Sequence, residues 1–155
     1  MRVRALELKV PPPIVALLVA VAMWGIALTA ERVEMPVLVR VGATLAFAIV
    51  GVGIAVSGLI GFRSARTSVN PMKPEIASSL VTSGVYRFTR NPMYLGLCLL
   101  LVAWALFLSS LLAFGGPLLF ILYMNRFQIA REETALSAIF GEEFANYKAK
   151  VRRWI

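Results

Sequence analysis

The chain has 155 residues, of which 59% are hydrophobic and 15% are charged, against about a quarter charged in an ordinary soluble domain. This composition excludes a disordered chain and a soluble single domain. Sixteen Lys and Arg against eight Glu give a net charge of +8, with no Asp, no His and one cysteine, Cys98. Their absence excludes a Ser-His-Asp triad, a histidine or thiolate metal site and an internal disulfide. We therefore expect no bound metal.

Runs without charge predict the elements in chain order. Residues 10–30 and 41–62 are uncharged over 21 and 22 residues, each the length of one transmembrane helix. Residues 91–125 form a third run of 35, which as one helix would measure about 52 Å. Since this exceeds one crossing, it predicts a helical hairpin that turns near Ser109–Ser110 or near Gly115–Pro117. The prediction is an all-α, polytopic membrane protein, one domain over 1–155, with four spans at about 11–30, 41–62, 92–109 and 112–131.

The distribution of Lys and Arg predicts the orientation. Fourteen of the sixteen cations lie in the N-terminal segment, the second loop or the C-terminal tail, and only Arg32 and Arg40 lie in the first loop. The positive-inside rule places both termini and the second loop in the cytosol, and the membrane is the inner (plasma) membrane if the chain is bacterial. The first run also has features of a signal peptide. Its span length and the charge alternation favour a retained helix.

Two features bear on partners. The cations collect at membrane ends, where anionic lipid headgroups account for them, so we expect membrane lipids and no nucleic acid as partners. Gly53, Ser57 and Gly61 stand four residues apart, a spacing that lets helices approach closely. This stripe predicts packing within the monomer, or alternatively a dimer face, so it leaves the oligomeric state open.

The cytosolic loop contains the first group of candidate residues. Pro74 and Glu75 could open a short interfacial helix through Leu80. The loop ends at Asn91 and Pro92, an N-cap followed by proline at the first helical position. Beside Arg90, this helix N-terminus suits an anion. The local sequence alone favours a simpler interpretation, in which Asn91 caps the helix and Arg90 meets a lipid phosphate.

A second group follows the fourth span. Helical spacing places Asn125, either Gln128 or Ile129, and the pair Glu132 and Glu133 near one face. The two carboxylates either serve a function at the membrane surface or simply pair with Arg126, Arg131 or the loop cations. Beyond them, apolar residues at helical spacing predict an amphipathic helix, interrupted at Gly141, that lies on the membrane or folds over the cytosolic face. Trp154 then predicts an interfacial anchor.

Two motifs together resemble the isoprenylcysteine carboxyl methyltransferase and phospholipid methyltransferase superfamily. The first is G-x-Y-x-x-x-R-N-P-x-Y-x-G at 84–96, and the second is R-E-E-x-x-L-x-x-x-F-G-x-x-F-x-x-Y at 131–147. The resemblance covers about 78–154. It implies an integral-membrane enzyme that uses S-adenosylmethionine, releases S-adenosylhomocysteine and binds the cofactor through residues 78–96 and 125–154. Asn91 stands where the family usually has His, which leaves hydrogen bonding or helix capping for this position.

The resemblance also implies the site residues. Those for the cofactor are Tyr86, Arg90, Asn91, Tyr94, Leu95, Gly96, Glu132 and Glu133. A glutamate suits the ammonium or the ribose hydroxyls, Arg90 and the helix end at Asn91 suit the carboxylate, and Tyr86 or Tyr94 suits the adenine or the sulfonium. Arg126 and Glu133 are the catalytic candidates, with Arg126 orienting or neutralising an anionic substrate head.

The expected reaction is an in-line methyl transfer to a carboxylate, thiol or amine, which needs no histidine. The acceptor would be an amphipathic, lipid-like or small hydrophobic molecule at the cytosolic face, and the protein would align the reactants and exclude water. One alternative is a small four-helix transporter, although no span carries an ionisable residue near its middle. Another is an assembly subunit held by the Gly53, Ser57 and Gly61 stripe, which leaves the glutamate pair unexplained.

Overall fold

Helices form where the sequence lacks charge. The structure, a computed structural model, describes residues 10–65 and 78–155, and within these ranges all regular structure is helical. The helices are α1 (Pro12–Thr29), α2 (Val37–Ser64), α3 (Pro92–Leu108), α4 (Gly115–Tyr123) and α5 (Ala130–Lys150). Short 3₁₀ turns lie at Gly84–Arg87 and Leu112–Phe114, and a π-helical segment, Met124–Ile129, joins α4 to α5.

Two of these helices, α1 and α2, are long and apolar enough to cross a membrane, and α3 is a shorter apolar helix. The second begins four residues before its predicted start because it includes Arg40. A charge ends an uncharged run in the sequence, but it does not end a helix whose terminus lies at the edge of an apolar region. The fourth predicted span, 112–131, consists of the 3₁₀ turn, α4, the π segment and the start of α5.

The longest uncharged run breaks at the first of its two predicted turn positions. Helix α3 ends at Leu108, and Ser109 adopts a left-handed backbone conformation with φ of 50°. The other candidate, Gly115–Pro117, opens α4 instead. Proline suits this place because the first turn of a helix needs no hydrogen bond from its backbone nitrogen.

Helices α2 and α3 touch through glycines. A Cβ placed on Gly96 would lie 2.5 Å from the carbonyl oxygen of Gly51, and one on Gly58 would lie 2.9 Å from Cγ of Pro92. The backbones therefore approach more closely than side chains would permit. This contact brings the start of α3 against the end of α2.

Packing within the monomer, one of the two alternatives predicted for the stripe of small residues, is wrong for two of its three members, and the dimer face stays a prediction. Gly53 and Ser57 are exposed, and the Ser57 hydroxyl donates to the Gly53 carbonyl at 2.7 Å. Gly61 does pack, 3.1 Å from the ring of Tyr86. The four-residue spacing did not identify the face of α2 that packs on α3. With 3.6 residues per helical turn, residues seven apart, such as Gly51 and Gly58, lie on the same face.

Two apolar clusters hold the chain together. The larger joins α1, α3, α4 and the π segment, and it includes Met23, Leu101, Phe120 and Met124. The smaller joins the second half of α5 to the loop before α3, through Phe144, Tyr147, Val151, Leu80, Leu136 and Phe140. Gly141, with φ of 48° and ψ of −118°, kinks α5 between its halves. The tail therefore folds over one end of the helices, one of its two expected positions.

Two further expectations concern Trp154 and the segment that begins at Pro74. Trp154 donates from Nε1 to Oδ1 of Asn125 at 3.1 Å and packs against the larger cluster. It therefore packs on the protein while remaining half-buried, and its expected role as an interfacial anchor stays a prediction. The interfacial helix expected from Pro74 lies outside the described residues except for 78–80, which are not helical.

Candidate functional site

The start of α3 is fastened to the C-terminal tail through main-chain carbonyls. Thr89 Oγ1 and Asn91 Nδ2 both donate to the Arg153 carbonyl, at 3.1 and 2.9 Å, and the Arg90 amide donates to that of Arg152 at 3.0 Å. Asn91 occupies the N-cap position, yet its side chain makes no capping hydrogen bond. The expected cap is therefore wrong: a cap needs Asn91 Oδ1 to accept from a backbone N–H of the first helical turn, whereas the side chain is turned to the tail and donates from Nδ2.

Arg90 faces the protein interior. Its Nη1 donates to the carbonyls of Val151 and, at 3.3 Å, Lys148, and its Nη2 lies 2.6 Å from Oε1 of Glu133. The side chain is 11% exposed. The expectation that Arg90 meets a lipid phosphate is therefore wrong. Its Nε is buried and has no hydrogen-bond partner among the described residues.

Glu133 is held between two arginines. Besides Arg90, it pairs with Arg153, whose Nη2 and Nε lie 2.7 and 2.9 Å from its two carboxylate oxygens. Burial alone would raise the pKa of Glu133, but the hydrogen bonds and charges of Arg153 and Arg90 hold that pKa below its usual value. Of the partners expected for the glutamate pair, a loop cation is confirmed for Glu133, and Arg153 was missed.

Glu132 has neutral partners. The Tyr94 hydroxyl and, at 2.6 Å, Gln128 Nε2 both donate to its Oε1. Burial raises the pKa of Glu132, and these hydrogen bonds oppose the rise. Since both donors use Oε1, Oε2 is the oxygen with accepting capacity left for a ligand.

Gln128 is the site residue that the sequence analysis left undecided. It is 2% exposed and stands four residues before Glu132, a spacing that brings helical side chains together. The π segment before α5 breaks the simple helical register. The side chain of Asn125 therefore hydrogen-bonds to Trp154 and not to Glu132. Arg126 is exposed on the same segment, so its proposed role in orienting substrate stays a prediction.

Tyr86 and Gly96 lie where the elements touch. Tyr86 is 3% exposed, its hydroxyl donates to the Gly58 carbonyl at 3.4 Å, and its ring meets Phe62 edge to face. Tyr147 donates to the Tyr86 carbonyl at 2.7 Å. Gly96 packs on Gly51 as described above, and Leu95 is half-buried. These positions join helix, loop and tail, and their expected contacts with a cofactor remain predictions.

The structure thus brings the two sequence motifs into one group, here called the polar cluster. It consists of Arg90, Tyr94, Gln128, Glu132, Glu133 and Arg153. An acceptor-rich half around Glu132 adjoins a cationic half around Glu133. Such a site suits a ligand that carries both positive and negative groups.

Comparison with known proteins finds methyltransferases. The family model for phospholipid methyltransferase matches residues 39–143. A fission-yeast (Schizosaccharomyces pombe) protein-S-isoprenylcysteine O-methyltransferase is 38% identical over 76 residues, which are 46% of this chain and 30% of that protein. An uncharacterised protein of Haemophilus influenzae is 57% identical over 63 residues, which are 41% of this chain and the whole of that protein.

Proposed function

The chain belongs to the phospholipid methyltransferase family, and from this premise we propose that it transfers a methyl group from S-adenosylmethionine to a lipid-like or small hydrophobic acceptor. The observation that carries the proposal is the meeting of both motifs in the polar cluster, where Arg90 contacts Glu133 at 2.6 Å and Tyr94 contacts Glu132. Neither contact follows from packing apolar helices, because each brings a charged group out of water.

The side chains of the polar cluster fit the cofactor's charges. Glu132 offers a carboxylate oxygen to an ammonium or to ribose hydroxyls. Arg90 has a buried Nε without a partner among the described residues, which suits a carboxylate at the helix N-terminus beside Asn91. Tyr94 lies against Glu132, where its ring could face an adenine or a sulfonium.

The bound cofactor would supply an electrophilic methyl group. The chain would contribute alignment and exclusion of water, which suffice for attack by a carboxylate, a thiolate or a free amine. We assign Glu133 to positioning Arg90, because its two oxygens already accept from Arg90 and Arg153. Arg126, exposed on the π segment that also carries Gln128, would orient an anionic substrate head.

The proposed setting is a membrane. The apolar helices of the chain and the family to which it belongs support a membrane protein. We propose that it is one domain with four spans, formed by α1, α2, α3 and the stretch from residue 112 to 131. Both termini and the polar cluster would then lie at the cytosolic face. The acceptor would arrive sideways between helices, with its tail in the bilayer. An isoprenylcysteine carboxylate, named for the fission-yeast relative, is one candidate.

The test is calorimetry of purified protein with S-adenosylhomocysteine. We expect the wild type to bind and Glu132→Gln to lose at least tenfold in affinity, because a hydrogen bond to a charged group contributes about 1.5–3 kcal/mol. Glu142→Gln is the matched control, since it removes an exposed carboxylate from the same helix and should bind like the wild type. Absence of binding by the wild type would contradict the function, and equal binding by Glu132→Gln would contradict the site.

The acceptor can be identified separately. Membranes containing the protein are incubated with methyl-labelled cofactor, and the labelled lipid or small molecule is identified by mass spectrometry. We expect label in a membrane-extractable product that is absent with Glu132→Gln. Equal label in both samples would contradict the assigned role of Glu132.

A further inference from the structure

A second polar pocket lies at the opposite end of α3 from the polar cluster. A cavity of about 710 Å³ is lined by residues 32–36, Arg40 and Ser109. Ser109 follows the last residue of α3, whereas Arg90 and Asn91 precede its first, and a helix of this length separates its ends by about 25 Å. The cavity therefore plays no part in the site described above.

The pocket contains an arginine whose hydrogen-bonding capacity is largely unused. Arg40 reaches Ser109 Oγ through Nη1 at 3.5 Å, the outer limit of a hydrogen bond, and its Nε is buried without a partner among the described residues. Both ion pairs found in the described part of the chain belong to the polar cluster. Buried donors in proteins are nearly always paired, so the unpaired Nε of a guanidinium that lines a cavity indicates a missing acceptor.

Two hydroxyls that are close in sequence to Arg40 and Ser109 are unpaired as well within the part of the chain that the structure describes, although the residues that carry them do not line the pocket. The hydroxyl of Ser110, a residue 1% exposed, and the hydroxyl of Thr44, one turn after Arg40, are also buried without partners among the described residues. The wall itself is fixed, because the Val33 amide donates to the Ser109 carbonyl at 2.7 Å. The pocket is thus lined by a held loop, and the acceptor that the Arg40 guanidinium meets among the described residues is the Ser109 hydroxyl at 3.5 Å.

We infer that this pocket binds a phosphate group, most simply the phosphodiester of a membrane lipid in the leaflet opposite the polar cluster. A guanidinium matches phosphate oxygens with paired hydrogen bonds. Arg32 adds a second cation and Glu34 one anion on the same wall, so the net charge of +1 suits a singly charged phosphodiester. Val33, Met35 and Pro36 give the wall an apolar part on which the alkyl portion of a lipid can lie.

The test measures thermal unfolding of the purified full chain in detergent. Phosphatidylglycerol should raise the melting temperature of the wild type by several degrees, whereas diacylglycerol with the same acyl chains should not. Arg40→Gln should lose most of the shift. Arg63→Gln, which removes an exposed cation at the other end of α2, should keep it. Inorganic phosphate distinguishes the source: an equal shift with phosphate alone would support a free-phosphate site and overturn the lipid assignment.

A second measurement covers the case in which Arg40→Gln does not fold. Native mass spectrometry should count one phospholipid more on the wild type than on Arg40→Lys, which keeps the charge but loses the paired donors. An unchanged lipid count, a full thermal shift in Arg40→Gln, or an equal effect of diacylglycerol would overturn the inference. Binding of S-adenosylhomocysteine should be the same in wild type and Arg40→Lys, so the inference and the proposed function fail separately.

Discussion

Adjacent glutamates at the start of α5 have opposite electrostatic surroundings. Glu133 accepts from two arginines, which lower its pKa, whereas Glu132 accepts from a tyrosine and an amide while burial raises its pKa. The charge of Glu133 is compensated within the protein, and that of Glu132 is not. A carboxylate kept uncompensated in a buried place is a candidate for binding a cation.

The first prediction at this scale concerns the cost of that charge. Because burial on folding raises the pKa of Glu132, its charged form destabilises the folded state above that pKa, and the cost decreases as the pH falls below it and disappears below the ordinary value of the unfolded chain. Glu132→Gln should therefore melt at the same temperature as the wild type or higher at pH 7, although it loses the cofactor. Thermal unfolding in detergent at pH 7 and pH 5 checks this, and a lower melting temperature at pH 7 would contradict it.

The second prediction has the opposite sign. The pKa of Glu133 lies below its ordinary value of 4.5, so its contribution to stability is present above pH 4.5 and is lost as the pH falls through the folded-state pKa. Glu133→Gln should cost roughly 1–3 kcal/mol at pH 7 and nearly nothing once the wild-type carboxyl is protonated. Melting curves from pH 7 to pH 3 measure the difference. Glu143→Gln, an exposed control, should show no such convergence.

At the scale of elements, the contact between α2 and α3 depends on missing side chains. Gly96→Ala would place a methyl group 2.5 Å from the Gly51 carbonyl and 2.7 Å from the Ala55 side chain. Overpacking of this kind costs about 1–3 kcal/mol, so we expect a clearly lower melting temperature. Gly53→Ala adds the same methyl group on α2, where nothing lies within 4 Å, and should be neutral or stabilising. Equal effects of the two substitutions would contradict the packing described.

The kink in α5 gives a further prediction at this scale. A Cβ added at Gly141 would meet nothing within 4 Å. The backbone there has φ of 48° and ψ of −118°, a conformation that other residues avoid. Gly141→Ala should therefore destabilise the chain by roughly 1–3 kcal/mol through strain alone. It should also weaken S-adenosylhomocysteine binding, because the kink directs the tail towards Arg90 and Glu133. Gly115→Ala, at a helical glycine with open space, is the control in both the melting and the binding measurements.

At the scale of the whole molecule, the four-span arrangement can be tested by chemical labelling. After Cys98→Ser, a single cysteine is placed at Glu34 or at Glu142, both exposed. In cells with an intact membrane, an impermeant maleimide should label Glu34→Cys from outside and Glu142→Cys only after permeabilisation. Labelling of both positions from the same side would contradict the proposed topology.

The sequence predicted the positions of the helices more accurately than the contacts between them. The ends of α1 and α3 lie within one residue of the predicted spans. The agreement arises because hydrophobic burial in lipid or protein requires long uncharged runs. The face of α2 that packs on α3 was predicted only at Gly61, since spacing alone does not show which of several small residues meets another helix. The contact is decided by tertiary packing.

Within the candidate site, the sequence predicted most members and, of their partners, the loop cation that pairs with Glu133. Arg90, Tyr94, Glu132 and Glu133 do meet, as the two motifs suggested. Arg153 was missed because its pairing with Glu133 spans 20 residues and depends on the kink at Gly141. Asn91 was misassigned because capping rules consider only neighbouring residues, whereas its side chain binds a carbonyl 62 residues away.

The fastening of the tail sets a requirement on chain length. Thr89, Arg90 and Asn91 grip carbonyl oxygens of residues 148–153, and a carbonyl is the same whatever side chain accompanies it. An exposed position such as Arg152 can therefore change freely. A single residue inserted or removed between Tyr147 and Arg153 would instead offset the carbonyls from their donors while leaving both motifs intact. Related chains that use this closure should vary at its exposed positions while keeping the same number of residues in the stretch.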